Sequence, residues 1–151
     1  MRVSELCGLK WEDINLEKRT LSVKRACTTL KGMAVVDKPK NANSLRTIPI
    51  PKALIETLKN HYSKGYIVNA NGKPQCSMNF TNNKYNKFFE ETGIRKLSPH
   101  KMRHTCGTLL YEKCHDVFAV QKFLGHSNAI VTSKTYVHEN VDALRKQLFD
   151  E

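Results

Sequence analysis

The chain changes its hydrophobic period decisively at Pro51. Before that point, apolar and β-branched residues gather into three extended runs: Thr20–Thr28, Met33–Asp37 and Leu45–Ile50. The joints between them, Lys31-Gly32 and Pro39 to Ser44, read as turns. Connections this short join antiparallel strands. Beyond Pro51 the apolar residues recur three and four apart, as at Leu54, Ile55, Leu58 and Tyr62, which is helical spacing. The fold class that follows is α+β: a mostly helical domain with a small three-stranded antiparallel sheet near its N-terminus.

Residues 2–9 read as the end of a helix with Val3, Leu6 and Leu9 on one face, followed by a turn from Lys10 to Arg19. Further helices are expected over 52–63, 80–92 and 99–113. Asp116 caps another that stops at Gly125. A short helical segment around 128–137 and a last helix over 140–149 complete the chain. Segment 64–79, with Gly65, Gly72 and Pro74, has the composition expected of the least ordered part. In the last helix Val141, Leu144, Leu148 and Phe149 form a narrow apolar stripe. A helix of about ten residues is marginal alone in water, so that stripe must pack on its own domain or on a neighbour. The 151 residues suit one domain with a real core.

Charge points to the partner. Lys and Arg number 25 against 14 Asp and Glu, a formal +11. Such an excess in a small domain suits a polyanion, although a well-solvated basic surface has the same composition. An acidic membrane surface fits less well, because no helix sets a Lys-rich face opposite a broad apolar one. No run approaches the roughly eighteen apolar residues of a membrane span, and the first residues lack the apolar core of a signal peptide. The expected location is the cytoplasm. Five cysteines, odd in number and without a Cys-x-x-Cys pair, indicate reduced thiols, several of them in the core.

The chemistry concentrates after Leu97. Ser98 is placed to cap a helix and Pro99 to begin it. Met102, Cys106, Leu109 and Leu110 read as its buried stripe. His100, Arg103 and His104 project from the other side, with Gly107 between them. A histidine and an arginine then share the helix end where free N–H groups attract an anion. A plain solvated face is the commoner use of such a pattern. His100 and His104 also have the i, i+4 spacing of a zinc pair, but Lys101 and Arg103 flank them and would repel a cation. Leu124-Gly125-His126-Ser127-Asn128 follows, and ten residues beyond its His126 stands Tyr136.

At these residues the sequence resembles the tyrosine recombinase, or phage integrase, family. His100-x-x-Arg103-His104-Thr105, Leu124-Gly125-His126-Ser127 and Thr135-Tyr136-Val137-His138 match the family's C-terminal motif in order. Arg2-Val3-Ser4-Glu5-Leu6, running on to Trp11-Glu12-Asp13-Ile14, resembles its first arginine motif. Lys40-Asn41-Ala42-Asn43-Ser44-Leu45-Arg46 resembles the hairpin segment that carries its catalytic lysine. The likeness covers nearly the whole chain.

The resemblance implies a catalytic domain over 1–151 that cuts and rejoins double-stranded DNA without metal or cofactor, through a covalent 3′-phosphotyrosyl link. It implies Tyr136 as nucleophile and Arg2, Arg103 and His126 as phosphate ligands. His100 would be the base and Lys40 the acid, with Lys38 its rival. Glu5 and His104 would support the site, Glu5 by holding the Arg2 guanidinium. Arg46 would brace the sheet rather than touch the phosphate, and His138 would be supporting. The family's catalytic domains usually have a further helix before the first arginine motif and a separate DNA-clamping domain upstream. The chain therefore reads as a fragment of a protein that forms a homotetramer on DNA, itself monomeric or weakly associated. A DNA-binding relic without activity is the alternative. A metal-dependent nuclease is disfavoured by the scatter of the carboxylates.

Overall fold

The structure, a computed structural model, describes residues 1–38 and 44–125. Helix α1 (Val3–Cys7) leads into a 3-10 turn (Trp11–Asp13) and the short strand β1 (Ile14–Asn15). Strands β2 (Thr20–Val23) and β5 (Arg46–Pro49) complete an antiparallel sheet of order β1-β2-β5, with Ile14 opposite Leu21 and Val23 opposite Arg46. Between them β3 (Ala26–Leu30) and β4 (Met33–Asp37) form a separate hairpin. Its two-residue turn, Lys31-Gly32, has positive φ at both positions, the geometry that matches strand twist.

The expected three-stranded sheet is thus present, but its membership differs from the sequence reading. The run Thr20–Thr28 breaks at Lys24-Arg25, because Arg25 turns a two-pronged guanidinium onto the buried Asp13 carboxylate at 2.6 and 2.9 Å. The third strand instead comes from Ile14–Asn15, inside the stretch expected to be only a turn.

Helix α2 (Lys52–Asn60) is shorter than expected; Ile55 and Leu58 pack on the core while Leu54 and Tyr62 stay exposed. Segment 64–79 is better built than its composition suggests. Trp11 and Ile67 donate backbone N–H groups to Gly65 and Leu9, and β6 (Asn69–Ala70) pairs with β7 (Lys73–Pro74). Val68 and Cys76 are buried there. Helical structure then starts at Ser77 rather than 80, with α3 (Ser77–Asn79), a π-helical segment (Phe80–Tyr85) and α4 (Asn86–Thr92). Helix α5 (Pro99–Cys114) and helix α6 (Val117–Leu124) follow. Segments 128–137 and 140–149 lie outside the described residues.

One face of the sheet, with Ile14, Leu21, Val23 and Ile48, packs with Leu9, Trp11 and Ile50 against Ala119, Val120, Phe123 and Leu124 of α6 and Leu110 of α5. Each large side chain buried this fully contributes roughly 1.5–3 kcal/mol. A second cluster gathers Cys7, Cys27, Val68 and Cys76. The five thiols are free, as expected. Burial, then the neighbouring Cys27 and Cys76, pushes the Cys7 thiol up to about 12, which leaves it unreactive. Among the described residues no helix is long and apolar enough to cross a membrane.

Helix α5 corrects a second expectation. Met102 and Leu109 are about half exposed, and the packed face is Cys106, Gly107 and Leu110, with Arg103 half-buried along it. Cys106 and Leu110 pack as expected, and Gly107 explains why the packed face turns toward it and away from Met102 and Leu109. A Cβ there would lie 2.9 Å from Leu124 Cδ1, so the missing side chain is what admits α6.

Candidate functional site

Two chain segments build the site. Ser98 accepts a hydrogen bond from Lys101 N at 3.2 Å and so caps α5, and Pro99 opens the helix with its φ already set. That first turn carries His100 and Arg103. Arg2 comes from the residue ahead of α1. Together Arg2, Val3, Pro99, His100 and Arg103 line an open cavity of about 320 Å³. Of the expected site residues, the structure therefore brings Arg2, His100 and Arg103 to one place. His104 lies one turn further along α5, exposed, its ring centroid 6.0 Å from that of His100. Among the described residues no group of three metal-ligating side chains comes together. Lys40, His126, Tyr136 and His138 lie outside the described residues.

Beneath the cavity sits Glu5, 2% exposed. Its Oε1 accepts from Arg2 Nη1 at 2.8 Å and from Arg46 Nη1 at 3.2 Å; its Oε2 accepts from Arg46 Nη2 at 3.0 Å and from the Arg2 backbone N at 2.7 Å. Burial alone would raise the pKa of this carboxyl. The hydrogen bonds from Arg46 and Arg2 outweigh it and hold the pKa below its ordinary value. Glu5 is thus an anion fixed in place, and it grips Arg2 as the resemblance implied.

Among the described residues the charges do not balance locally. Arg2, Arg46 and Arg103 surround one carboxylate. Arg103 is half-buried; burial lowers its pKa, and repulsion from Arg2 lowers it further. Its Nη2 donates to the Leu124 carbonyl at 2.7 Å, while its buried Nη1 has no hydrogen-bond partner among the described residues. A cavity edged by two guanidiniums, with more positive charge than one carboxylate offsets, is chemically a receptor for a doubly contacted oxyanion.

A family model described as the phage integrase family matches residues 1–142. The chain belongs to the phage integrase family. It is 31% identical over 168 residues to the "Tyrosine recombinase XerC-like" protein of Caldanaerobacter subterraneus subsp. tengcongensis, an alignment covering 91% of this chain and 42% of that protein. To "Tyrosine recombinase XerA" of Thermococcus kodakarensis it is 31% identical, covering 97% and 49%. Among solved structures, the Tn1549 transposon integrase in complex with transposon right end DNA superposes with a TM-score of 0.66 at 28% identity, covering 96% of this chain and 53% of that one. The chain spans about half the length of the curated relatives it matches.

Within this phage integrase domain, two residues that the sequence reading undervalued prove central. Arg46 does join the sheet to its surroundings, but its guanidinium is spent on Glu5 and on the end of α6 rather than on a strand. Ser44, 5% exposed, offers its carbonyl to Arg46 at 3.0 Å and its hydroxyl to Arg2 at 3.4 Å. Their spacing from Lys40 was visible in the sequence; that Arg46 reaches Glu5 was not, because the pairing spans 41 residues.

Proposed function

We propose that the protein to which this chain belongs is a site-specific DNA recombinase, cleaving and rejoining strands through a covalent 3′-phosphotyrosyl intermediate without metal. The single observation that carries the reading is the convergence of Arg2, Arg103 and His100 on one cavity of a phage integrase domain. Exchange at a phosphodiester builds negative charge on a five-coordinate phosphorus. Two fixed guanidiniums neutralise that charge in the role a metal ion would otherwise fill.

In the proposed reaction the Tyr136 oxygen attacks phosphorus and the bond to the 5′-oxygen breaks. Tyrosine has an ordinary pKa near 10, so its proton needs an acceptor; His100, at the cavity edge, takes it. Lys40 gives a proton to the departing 5′-oxygen, and His126 donates a hydrogen bond to a non-bridging oxygen. Rejoining is the reverse sequence, with a 5′-hydroxyl of the partner strand as nucleophile. The partner is double-stranded DNA, which the formal +11 charge suits. The full-length protein acts as a homotetramer on two duplexes, with the 140–149 stripe docked on a neighbouring subunit.

The test is covalent capture. The chain is incubated in EDTA with a nicked duplex from which the 5′ fragment diffuses away. A protein–DNA adduct is expected, and Tyr136→Phe should abolish it while leaving DNA binding nearly intact. An adduct that survives Tyr136→Phe would refute the nucleophile; DNA binding with no adduct from the parent chain would favour the inactive relic. Deleting 139–151 from the full-length protein should impair assembly and strand exchange more than DNA binding.

A further inference from the structure

Arg46 does not line the cavity, yet each nitrogen of its guanidinium is engaged. Nε donates to the Phe123 carbonyl at 2.8 Å, Nη1 to the Ser44 carbonyl and Glu5 Oε1, and Nη2 to Glu5 Oε2. The side chain is 5% exposed. It forms part of a larger pattern at the end of α6. Three successive carbonyls there accept from three arginines of three different segments: Phe123 from Arg46 of β5, Leu124 from Arg103 of α5, and Gly125 from Arg2.

The last carbonyls of a helix lack partners within it and carry the negative end of its dipole. Here those acceptors are rigidly spaced by helical geometry and by Gly125, whose φ of +70° closes the helix. Two of the three guanidiniums that they hold edge the cavity. The third, Arg46, holds the same Glu5 that grips Arg2.

We propose that Arg46 and the terminal carbonyls of α6 form one positioning device, which sets Arg2 and Arg103 at the spacing a phosphate needs. Arg46 is a positioning residue in this device: it acts on Arg2 through Glu5 and on Arg103 through the last turn of α6. The inference rests on the recombinase reading above, since it assigns the device a phosphate to serve. A lysine could not replace it. One ammonium on a flexible stem cannot reach the Phe123 and Ser44 carbonyls and both Glu5 oxygens in a single plane.

The experiment compares two scissile groups in the nicked duplex, an ordinary phosphodiester and a neutral methylphosphonate. The neutral group carries one negative charge less and depends less on well-placed guanidiniums. Arg46→Lys should bind DNA as the parent does, and form adduct with the phosphodiester roughly 100-fold more slowly, the scale of a small misplacement of reacting groups. With the methylphosphonate that deficit should shrink. A purely structural lesion would reduce both substrates by the same factor, so equal losses, or none, overturn the proposal. If Arg46→Lys fails to give the parent's circular dichroism, Glu5→Gln takes its place, keeping shape and an acceptor oxygen while removing the charge. It is expected to show the same substrate-dependent loss, and equal losses or none would again overturn the proposal. Absence of adduct from the parent chain itself would strike the recombinase reading instead.

Discussion

Gly125 and Arg46 pack so closely that a methyl group on Gly125 would lie 2.7 Å from Arg46 Nη1 and 2.9 Å from its Cζ. Gly125 also holds a φ of +70°, a region that side chains rarely adopt. Two independent constraints therefore select glycine at this position.

Gly125→Ala should accordingly lose about 1–2 kcal/mol of stability from the backbone alone, with more from the displaced guanidinium. Chemical denaturation measures the first loss. Adduct formation at a temperature where the variant remains folded reads the displacement itself, and should slow more than tenfold if Arg46 has moved, given how steeply reaction falls with misplaced groups. Parent-like behaviour in both assays would mean that the end of α6 relaxes freely.

Acidification should weaken the fold through Glu5. Its folded pKa lies below the ordinary carboxylate value of 4.5. The stability it contributes is present above that ordinary value and is lost as pH falls through it toward the folded pKa. Denaturation midpoints measured from neutral pH downward should drop below about pH 5. In Glu5→Gln the curve should start lower and flatten. A parent curve with the same acid slope as Glu5→Gln would remove Glu5 from the account.

Arg103 is expected to matter far more for reaction than for folding. Arg103→Ala should slow cleavage by about 100- to 1,000-fold, as loss of a preorganised donor does. Arg103→Met keeps the apolar stem and removes a charge that burial and Arg2 both disfavour. Its thermal midpoint should be no lower than the parent's while cleavage is lost. A clear drop in that midpoint would show that the charge is structurally required.

The two helix caps should separate in their consequences. Asp116 Oδ1 accepts from Phe118 N at 2.8 Å and Ala119 N at 3.0 Å, whereas Ser98 accepts one bond at 3.2 Å. Asp116→Ala and Ser98→Ala should each cost about 1 kcal/mol, Asp116 the more. Since α6 carries the carbonyls that hold the arginines, Asp116→Ala should also slow adduct formation under folding conditions. Equal cleavage by the two variants would uncouple the start of α6 from its end.

Much of this arrangement was legible in the residues. Ser98-Pro99, Asp116 and Gly125 announced helix ends through their own backbone chemistry, and the structure uses each in that way. The shared placement of His100 and Arg103 followed from helical spacing; that Arg2 joins them followed from the resemblance. What the sequence concealed depended on distant partners. Nothing near Arg25 reveals that Asp13 will draw it out of a strand. Nothing on α5 reveals that Gly107 marks its packed face, because a glycine adds no hydrophobicity to a stripe; its effect appears only when Leu124 fills the space. Met102 and Leu109 therefore pointed to the wrong side of the helix, while Cys106 and Leu110 marked the packed one.

The three carbonyls at the end of α6 set a rule about length rather than composition. Their acceptors belong to the main chain, so exchanging Phe123 or Leu124 for another apolar residue of similar volume leaves each oxygen where it is. Inserting or deleting a single residue between Asp116 and Gly125 is different: it turns the following carbonyls by about 100° and slides them about 1.5 Å along the axis. All three guanidiniums would then lose these main-chain acceptors together. Divergence within this helix should accordingly run through substitution and almost never through a change in its residue count.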